Sequence, residues 1–388
     1  MPAGFESMTQ RARKVVMVVS EDWYFLSHRF ALARYLAAEG WEVVVATQVN
    51  RAADSERIAA AGLRVVPVPL ERGRLLALGD LCYWWRLRRL YREEQPDVVH
   101  QVAMKPVLYG SVAALGLPRT GVVNALAGLG YLFTNRRGIV AVVRAIVLRM
   151  FRWLFARRST RLILQNTEDM ALFGRELGVP EKNLRLIRGS GVDLAGFNPV
   201  EHGARKPVVA VMVARLLRDK GVLELVEASR ILRQEGVPVR VQLAGGIDRK
   251  NPNSLSESEV SALQAEDVVD CLGHRDDIAA VYGRADIAVL PSYREGLPRS
   301  LLEAAACGLP IVTTDTSGCR EVVADGVNGF LVPVRDPVAL AEALRRLTKD
   351  AELRRSMGAA SRLRAEQEFS QELIFASTLS VYHEVAGE

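Results

Sequence analysis

Short apolar runs rich in β-branched residues alternate with helical patterns along this chain of 388 residues, and the alternation starts twice. The first series runs from "KVVMVVS" through "WEVVVATQ" and "PDVVHQV" to "RLILQN". After the break "FNPVEHGARKP", a second series runs from "VVAVMVA" through "VRVQLAGG" and "IAVLPS" to "GFLVP". Strands that are apolar on both faces are typical of the buried parallel sheets of β-α-β units. The pattern therefore predicts two α/β domains, each built on a parallel sheet.

The same break marks the boundary between the two domains. Two domains are also expected from the length, because 388 residues are too many for one typical hydrophobic core. We place an N-terminal domain at residues 1–198, a second domain at 199–369 and a last helical segment at 370–388. Helices are expected at Val222 to Gln234 and at Arg299 to Ala306. Ligands of open α/β sheets bind beyond the carboxyl ends of the strands, so a site is expected there.

The composition narrows the choice of partner and compartment. The net charge of +6 and the isoelectric point of about 9.2 favour an anionic partner, which is a nucleic acid, a phosphate-bearing ligand or an acidic membrane surface. No run of about 18 uncharged apolar residues predicts a spanning helix, and the stretch before the first strand lacks a secretory core. The cysteines share no CxxC spacing and are expected to be reduced thiols of a cytosolic protein: Cys82, Cys271, Cys307 and Cys319.

Two cations follow the first strand of the second series, in "VARLLRDKG". Arg215 and Lys220 lie between the carboxyl end of that strand and the start of the next helix. A positive helix end and two cations suit a diphosphate. The alternative is an ordinary solvated loop with basic residues.

Two acids flank a Gly-Leu-Pro turn in "SYREGLPRSLLEAAACGLPIVTTD". Pro298 can start a helix, which puts Glu303 in its early turns and Glu295 in the preceding loop. Carboxylates bind vicinal hydroxyls, so two acids suit two polyol groups such as a ribose and a hexose. The backbone amides of Gly296 and Leu297 would point at an anion near the helix start. The alternative is a loop acid and a helix acid that the helix dipole favours.

A basic amphipathic segment, "RRGIVAVVRAIVLRMFRWLFARRSTR", has eight arginines and no acid. The segment "CYWWRLRRLYR" repeats the theme with Trp84 and Trp85. Both profiles predict helices that lie in an anionic membrane interface. The alternative is a core helix with a basic solvent face. On a helical wheel, the arginines of the first segment that lie within an arc of roughly 140°, opposite apolar residues, are Arg137, Arg144, Arg149 and Arg152.

Motifs for metals and dinucleotides are missing from the sequence. There is no P-loop, no HExxH and no Asp-x-Asp pair, and "GLGYLF" lacks the third glycine of a dinucleotide fingerprint. His28, His100 and His274 are scattered along the chain. We therefore expect neither a metal nor another cofactor.

Several ordered motifs resemble a known family. "ARLLRDKG", "PSYREGLPRSLLEAAACGLPIVTTD", "GCREVV" and "DGVNGFLVP" are similar to the C-terminal domain of glycosyltransferase family 4, whose members are retaining enzymes of the GT-B fold. "SEDWYFLSHRFALARYLAAEGWEVVVAT", "HQVAMKPVLYGSVAA", "NALAGLGYLFT" and "LQNTEDMALF" resemble a subgroup that extends lipid-linked oligosaccharides. The resemblance implies two Rossmann-like domains that face a central cleft, with the segment 370–388 crossing back onto the N-terminal domain.

The resemblance also implies roles for the residues that match. Arg215 and Lys220 would neutralise the donor diphosphate, Glu303 would bind the nucleotide ribose, and Glu295 would contact the donor sugar. The amides of the turn Gly296-Leu297-Pro298 would approach the sugar and the phosphates. Arg215, Lys220 and Glu295 are then the catalytic candidates, and cations take the place of a metal at the leaving group.

The N-terminal half departs from the family pattern at two places. "SEDWYFLSHR" replaces the usual glycine-rich first loop, and "VVNALAG" stands where a histidine is often found. The candidates on the acceptor side are His28, Lys105 and Asn124.

The resulting hypothesis is a retaining glycosyltransferase that moves a hexose or N-acetylhexosamine from a UDP-sugar to a polyprenyl-diphosphate-linked saccharide, such as one on undecaprenyl diphosphate. Such an enzyme would serve cell-surface polysaccharide or glycoprotein glycan assembly. It would be cytoplasmic and attached to the inner face of the cell membrane through Trp84, Trp85, Arg144, Arg149 and Arg152. The alternatives are a GT-B enzyme with a soluble acceptor and a non-catalytic nucleotide-sugar-binding protein. A nucleic-acid partner is disfavoured, because the basic residues alternate with apolar helix faces instead of forming an aromatic platform on a sheet.

Overall fold

The computed structural model describes residues 11–71, 78–126, 138–199, 207–249 and 251–387. The chain divides into two compact units, each of which contains one sheet. The first unit comprises residues 1–164, 170–185 and 375–388, and the second comprises residues 165–169 and 186–374.

Seven strands form the sheet of the first unit among the described residues, in the order β3-β2-β1-β4-β5-β6-β7. The pairings from β3 to β6 are parallel. The strands are β1 Lys14–Glu21, β2 Glu42–Gln48, β3 Arg64–Pro67, β4 Val98–Val102, β5 Gly121–Leu126, β6 Thr160–Leu164 and β7 Leu184–Leu186. The helices that accompany them are Asp22–His28, Phe30–Ala38, Ala52–Ala60, Leu78–Glu94, Met104–Ala113 and Gly138–Phe155.

Six strands form the sheet of the second unit, again counted over the described residues, in the order β10-β9-β8-β11-β12-β13 with parallel pairing. The strands are β8 Val208–Val213, β9 Val239–Ala244, β10 Asp270–Gly273, β11 Ile287–Leu290, β12 Ile311–Thr314 and β13 Gly329–Val332. The helices are Val222–Gln234, Glu257–Glu266, Ile278–Tyr282, Arg299–Ala306, Ser317–Val322, Pro337–Lys349 and Ala351–Arg364. Thr167–Ala171 and Gln371–Ala386 are helices that each begin in the second unit and end in the first.

The apolar strands lie where the sequence pattern puts them. Val15–Val19 of β1 are buried on both faces, and so is every residue of β4, β5 and β11. Such strands are stable only with helices on both faces of the sheet. The predicted fold class, two Rossmann-like parallel-sheet domains, is therefore confirmed.

In both sheets the strand order reverses beside the first strand of the unit. β1 lies between β2 and β4 in the first unit, and β8 lies between β9 and β11 in the second. The connections diverge at these switch points, which leaves a crevice at the carboxyl ends of the two neighbouring strands. Residues that follow β8 and β11 are therefore placed to bind a ligand.

The segment from 186 to 198 belongs to the second unit, although the sequence pattern placed it in the N-terminal domain. The N–H of Val192 donates to the carbonyl of Phe369 at 2.8 Å, and the N–H of Gln371 donates to the carbonyl of Val192 at 3.1 Å. These bonds join the segment to the end of the second unit's chain. Their partners are far apart in sequence, which is why no local pattern predicts them.

The end of the Gln371–Ala386 helix packs into the first unit. The hydroxyl of Tyr382 lies 2.5 Å from Nδ1 of His100 on β4, and its ring meets Trp41 edge to face. Glu384 accepts a hydrogen bond from Arg161 at 2.9 Å. Burial lowers the pKa of His100 well below its usual value, so the imidazole is neutral in the fold.

Candidate functional site

The loops after β8 and β11 touch one another at the switch point of the second unit. Gly221, with φ of +77°, ends the Arg218–Lys220 turn, and a Cβ atom there would lie 2.1 Å from the carbonyl oxygen of Pro291. Only glycine allows both this backbone conformation and this approach. The N–H of Tyr293 then donates to the carbonyl of Asp219 at 2.9 Å. The two loops are therefore fixed against each other.

This contact brings together two of the predicted site residues. Nζ of Lys220 lies 2.5 Å from Oε1 of Glu295, and their side chains are 22% and 11% exposed. The hydroxyl of Ser292, which is fully buried, donates to the same carboxylate oxygen at 2.6 Å. The carbonyl of Ser292 in turn accepts a hydrogen bond from Thr314. Glu295 is therefore fixed between Lys220 and Ser292 in the loop that follows β11.

Arg215 is the second predicted cation and lies on the exposed side of the loop after β8. Its Nη1 atom is 2.6 Å from Oδ2 of Asp248, whose own N–H donates to the hydroxyl of Ser254 at 3.0 Å. A guanidinium has five N–H donors, so a bond to Asp248 leaves others that can meet a phosphate. Sequence reasoning missed Asp248, because an acid in a polar loop carries no signal of its distant partner.

Glu303 lies in the middle of the short Arg299–Ala306 helix and is buried. The Nε–H of Arg299, one helical turn earlier, donates to its carboxylate at 2.8 Å. Burial raises the pKa of Glu303, and the opposing pull of Arg299 lowers it by less. Pro298 has extended backbone angles and precedes the helix, which begins at Arg299.

The Glu295–Gly296 backbone approaches the start of the Ser317–Val322 helix closely. A Cβ atom on Gly318 would lie 2.4 Å from the carbonyl oxygen of Gly296 and 2.6 Å from that of Glu295. Any side chain at Gly318 would push the loop outward. The segment "GCREVV", which carries part of the family resemblance, therefore supports the loop that holds Glu295.

Two of the acceptor-side candidates have local partners in the first unit. Nζ of Lys105 lies 2.7 Å from Oδ1 of Asp80 in an ion pair that is almost fully buried. His28 stacks on Tyr24 with a centroid distance of 4.2 Å, and its Nδ1 is 2.7 Å from the hydroxyl of Ser27. His28 follows β1 and Lys105 follows β4, the two neighbouring strands at the switch point of the first unit.

The third acceptor-side candidate lies inside the first sheet. Asn124 on β5 is fully buried, and its Oδ1 atom is 3.0 Å from the hydroxyl of Ser111. The same hydroxyl is 2.9 Å from Oε1 of Gln101 on the neighbouring strand. This is a polar network within the core, and its members differ from the partners of His28 and Lys105.

The amphipathic prediction for residues 136–161 is changed by the structure. Arg137 lies outside the described residues, Arg144 is half-buried, and Arg149 and Arg152 are exposed. The apolar stripe predicted to enter a membrane packs in the core of the first unit instead, through Val147, Phe151, Leu154 and Phe155. The exposed face mixes Arg149 and Arg152 with a second set of apolar side chains, Val142 at 59% exposed, Ile146 at 46% and Trp153 at 56%.

The Leu78–Glu94 helix also exposes apolar and basic side chains together. Trp85 is 56% exposed, and the guanidinium of Arg89 lies 5.9 Å from its ring centroid. Trp84 is half-buried, with Arg88 at 5.9 Å over its ring. Over the described part of the chain, every helix is too short or too polar to cross a bilayer.

Metal ligands do not cluster among the residues that the structure describes. No group of three or more His, Cys, Asp or Glu side chains within those ranges is placed to hold a metal ion.

Comparison with known proteins gives consistent matches over nearly the whole chain. The family model described as "Glycosyl transferases group 1" matches residues 197–364, and "Glycosyl transferase 4-like" matches residues 14–166. The chain is 30% identical over 304 residues to the Escherichia coli "UDP-Gal:alpha-D-GlcNAc-diphosphoundecaprenol alpha-1,3-galactosyltransferase", covering 74% of this chain and 76% of the relative.

A second relative and a solved structure cover more of the chain. The Campylobacter jejuni "N,N'-diacetylbacillosaminyl-diphospho-undecaprenol alpha-1,3-N-acetylgalactosaminyltransferase" is 28% identical over 344 residues, which are 85% of this chain and 88% of the relative. The crystal structure of a glycosyltransferase from Rickettsia africae ESF-5 has the same fold, with a TM-score of 0.77 at 16% identity over 98% of this chain and 100% of that one.

Proposed function

This chain belongs to the family 4 glycosyltransferases, and we propose that it transfers a sugar from a UDP-sugar to a saccharide carried on polyprenyl diphosphate, with retention of configuration. The sugar is a hexose or an N-acetylhexosamine. The observation that carries the proposal is the contact between Lys220 and Glu295 at the switch point of the second unit. A cation for a phosphate and an acid for a sugar hydroxyl lie side by side, as the junction of a nucleotide sugar requires.

Positively charged and acidic side chains both bind the donor in this proposal. The diphosphate meets Lys220 and Arg215, close to the N-terminus of the Val222–Gln234 helix, whose dipole also favours an anion. Glu303 accepts hydrogen bonds from the ribose, and Glu295 accepts them from the transferred sugar. No metal ion is needed in this proposal, because the two fixed cations balance the charge of the leaving group.

The reaction breaks the bond between the anomeric carbon of the sugar and the β-phosphate oxygen. The acceptor oxygen forms its new bond to that carbon on the same face, and the departing phosphate takes the acceptor proton. Negative charge grows on the phosphate as the bond breaks, so Lys220 and Arg215 bind the transition state more strongly than the ground state. Retention is supported by the α-1,3 linkages in the names of both relatives, since an α-linked UDP-sugar gives an α product only with retention.

The acceptor class is supported by the same two names, both of which specify a saccharide on a diphosphoundecaprenol or diphospho-undecaprenol carrier. A polyprenyl chain stays in the bilayer, so an enzyme that acts on it must reach the membrane surface. We assign this role to the exposed face of the Gly138–Phe155 helix and to Trp85, where arginines and apolar side chains alternate. The protein is then attached to the inner face of the cell membrane.

A transfer assay tests the proposal. The enzyme is incubated in EDTA with UDP-, GDP- and dTDP-sugars and with a synthetic polyprenyl-diphosphate N-acetylhexosamine, and the products are weighed by mass spectrometry. We expect one added sugar on the lipid from a UDP-sugar. Matched free saccharides test the soluble-acceptor alternative. Transfer only to those saccharides, transfer only from another nucleotide, or no transfer at all contradicts the proposal.

A further inference from the structure

We propose that Asn166 is a positioning residue for the peptide between Gly296 and Leu297, an inference that rests on the proposed function of that loop. Asn166 belongs to the "LQNTEDMALF" motif, which the donor and acceptor assignments leave without a role. It lies in the second unit and is buried, with 1% of its surface exposed. Its Nδ2 atom donates to the carbonyl oxygen of Gly296 at 3.1 Å.

The Asn166 side chain is itself fixed on both of its polar atoms. Oδ1 accepts a hydrogen bond from the N–H of Asp169 at 2.7 Å, which caps the short helix that follows. Nδ2 also donates to Oδ2 of Asp169 at 3.0 Å. Burial raises the pKa of Asp169, and the hydrogen bond from Asn166 opposes that rise. The amide therefore has one orientation, with Nδ2 toward Gly296.

The segment that carries Asn166 is anchored by a buried acid. Glu321 accepts two hydrogen bonds from Thr167, from its N–H at 2.7 Å and from its hydroxyl at 2.8 Å. The other oxygen of Glu321 accepts from Nε of Arg188 at 2.9 Å. These bonds lower the pKa of Glu321, so it remains ionised in spite of its burial. Asn166 is therefore presented from a rigid base.

Holding the Gly296 carbonyl sets the direction of the next amide. In a trans peptide the C=O and the following N–H point in opposite directions, so the N–H of Leu297 points away from Asn166. Over the described residues, the N–H groups of Gly296 and Leu297 donate no protein hydrogen bond. Gly318 closes the other side of the carbonyl, since a Cβ there would lie 2.4 Å from it. The peptide is thus held with a donor that has no protein partner among the described residues and can meet a ligand at this loop.

This arrangement gives Asn166 a part in stabilising the leaving phosphate. Donors that are aimed before the reaction at the place where charge develops lower the barrier, and small misplacements cost much of that gain. Loss of the Asn166 bond leaves the Gly296 carbonyl without its side-chain donor and frees the peptide to tilt. The effect therefore falls on kcat, while the affinity for UDP depends mainly on Lys220, Arg215 and Glu303.

The test compares Asn166→Ser with Glu168→Gln. Serine still caps the helix but is too short to reach Gly296. Glu168 lies two positions after Asn166 and forms an exposed ion pair with Arg320. We expect N166S to lower kcat by about 10- to 100-fold with the KM for the UDP-sugar and the Kd for UDP changed by less than about threefold. E168Q should match the wild type.

Four results are informative. A kcat of N166S within about twofold of the wild type overturns the inference. So does a loss in which the Kd for UDP and the melting temperature change together with kcat, since that is the signature of a merely structural role. A similar loss in E168Q also overturns it. If the wild type itself transfers no sugar from any UDP-sugar, the proposed function fails and this inference falls with it.

Discussion

Nζ of Lys220 lies 2.5 Å from Oε1 of Glu295, although the two residues are 75 positions apart in the sequence. One follows β8 and the other follows β11, the two strands that flank the switch point. The pair joins the phosphate-binding role of the cation to the sugar-binding role of the acid. Replacing Lys220 should therefore affect the interaction with the donor phosphates, and replacing Glu295 should affect the interaction with the donor sugar.

Lys220→Ala should lower kcat/KM for the UDP-sugar by about 100-fold or more, because a fixed positive charge at the leaving group is lost. The melting temperature should change little, since the Lys220 side chain is partly exposed. Arg218→Ala is the matched control: Arg218 is in the same turn but pairs with Glu259 at the surface. Wild-type turnover of K220A, or an equal loss in R218A, contradicts the assignment.

Glu295→Gln should distinguish the interaction with the transferred sugar from the interaction with the phosphates. The variant keeps the shape of the side chain but loses its charge, so Lys220 is no longer held by an ion pair. We expect UDP to bind as tightly as to the wild type or more tightly, while transfer falls by about 100-fold. Calorimetric titration with UDP and a transfer assay measure the two effects. If E295Q weakens UDP binding as much as K220A does, Glu295 does not act on the sugar.

The affinity for UDP should decrease in mild acid because of Glu303. Burial raises the pKa of Glu303, so it takes up a proton at a pH at which an exposed glutamate is still ionised. The protonated acid accepts fewer hydrogen bonds from a ribose. We expect the Kd for UDP to rise as the pH falls toward this pKa, and Glu303→Gln to remove that part of the pH dependence. An unchanged profile in E303Q contradicts the ribose role.

The raised pKa also predicts a change in stability, with a definite sign. The folded state holds the proton of Glu303 more firmly than the unfolded state does, so its contribution to stability is fully present below the unfolded pKa. That contribution is lost as the pH rises through the folded pKa. The free energy of unfolding of the wild type should therefore fall relative to that of E303Q between acidic and neutral pH, as measured by urea denaturation. The opposite trend contradicts this explanation.

Binding to anionic vesicles should depend on the exposed face of the Gly138–Phe155 helix. Replacing Arg149 and Arg152 by Gln and Trp153 by Ser removes two charges and one interfacial ring, each of which favours an anionic surface by about 1 kcal/mol or more. We expect flotation with phosphatidylglycerol vesicles to be lost. The control is the double variant Arg345→Gln with Arg355→Gln, which also removes two positive charges, but from the second unit. Flotation that persists in the triple variant, or is lost equally in the control, rules out this surface.

Tyr382→Phe should destabilise the first unit. The hydroxyl of Tyr382 pairs with Nδ1 of His100 at 2.5 Å, and both side chains are buried. Its removal leaves a buried imidazole nitrogen without its partner, at a cost of about 1–3 kcal/mol in the free energy of unfolding. Urea denaturation measures the change. Tyr35→Phe, also in the first unit, is the control, and equal stability of Y382F and wild type contradicts the prediction.

Much of the second unit could be predicted from the sequence because its signals are local. The helices at Val222–Gln234 and Arg299–Ala306 have the bounds that the pattern predicts, since Gly221 and Pro298 mark where each begins. The repeated β-α-β pattern also predicts that the loops after β8 and β11 share one edge. What the pattern does not give is the direct contact of Lys220 with Glu295, which depends on the close packing at Gly221.

Other features escaped prediction for physical reasons. Asn166 and Gly296 are 130 residues apart, and an asparagine at a helix start is an ordinary cap, so nothing local signals the bond. For residues 136–161, the helical wheel predicts an apolar face but not that this face is buried in the core of the first unit. The helix has apolar side chains on both faces, and only packing decides that Phe151 is buried while Trp153 is exposed. Patterns predict the period of a helix but not which of two apolar faces meets the core.

A crystal structure with UDP bound, grown in EDTA, will show which side chains bind the diphosphate of the donor. We expect the diphosphate to lie within hydrogen-bonding distance of Nζ of Lys220 and of the Arg215 guanidinium, with the ribose at Glu303. A nucleotide bound elsewhere, or a diphosphate that is ordered only when a divalent ion is added, would contradict it.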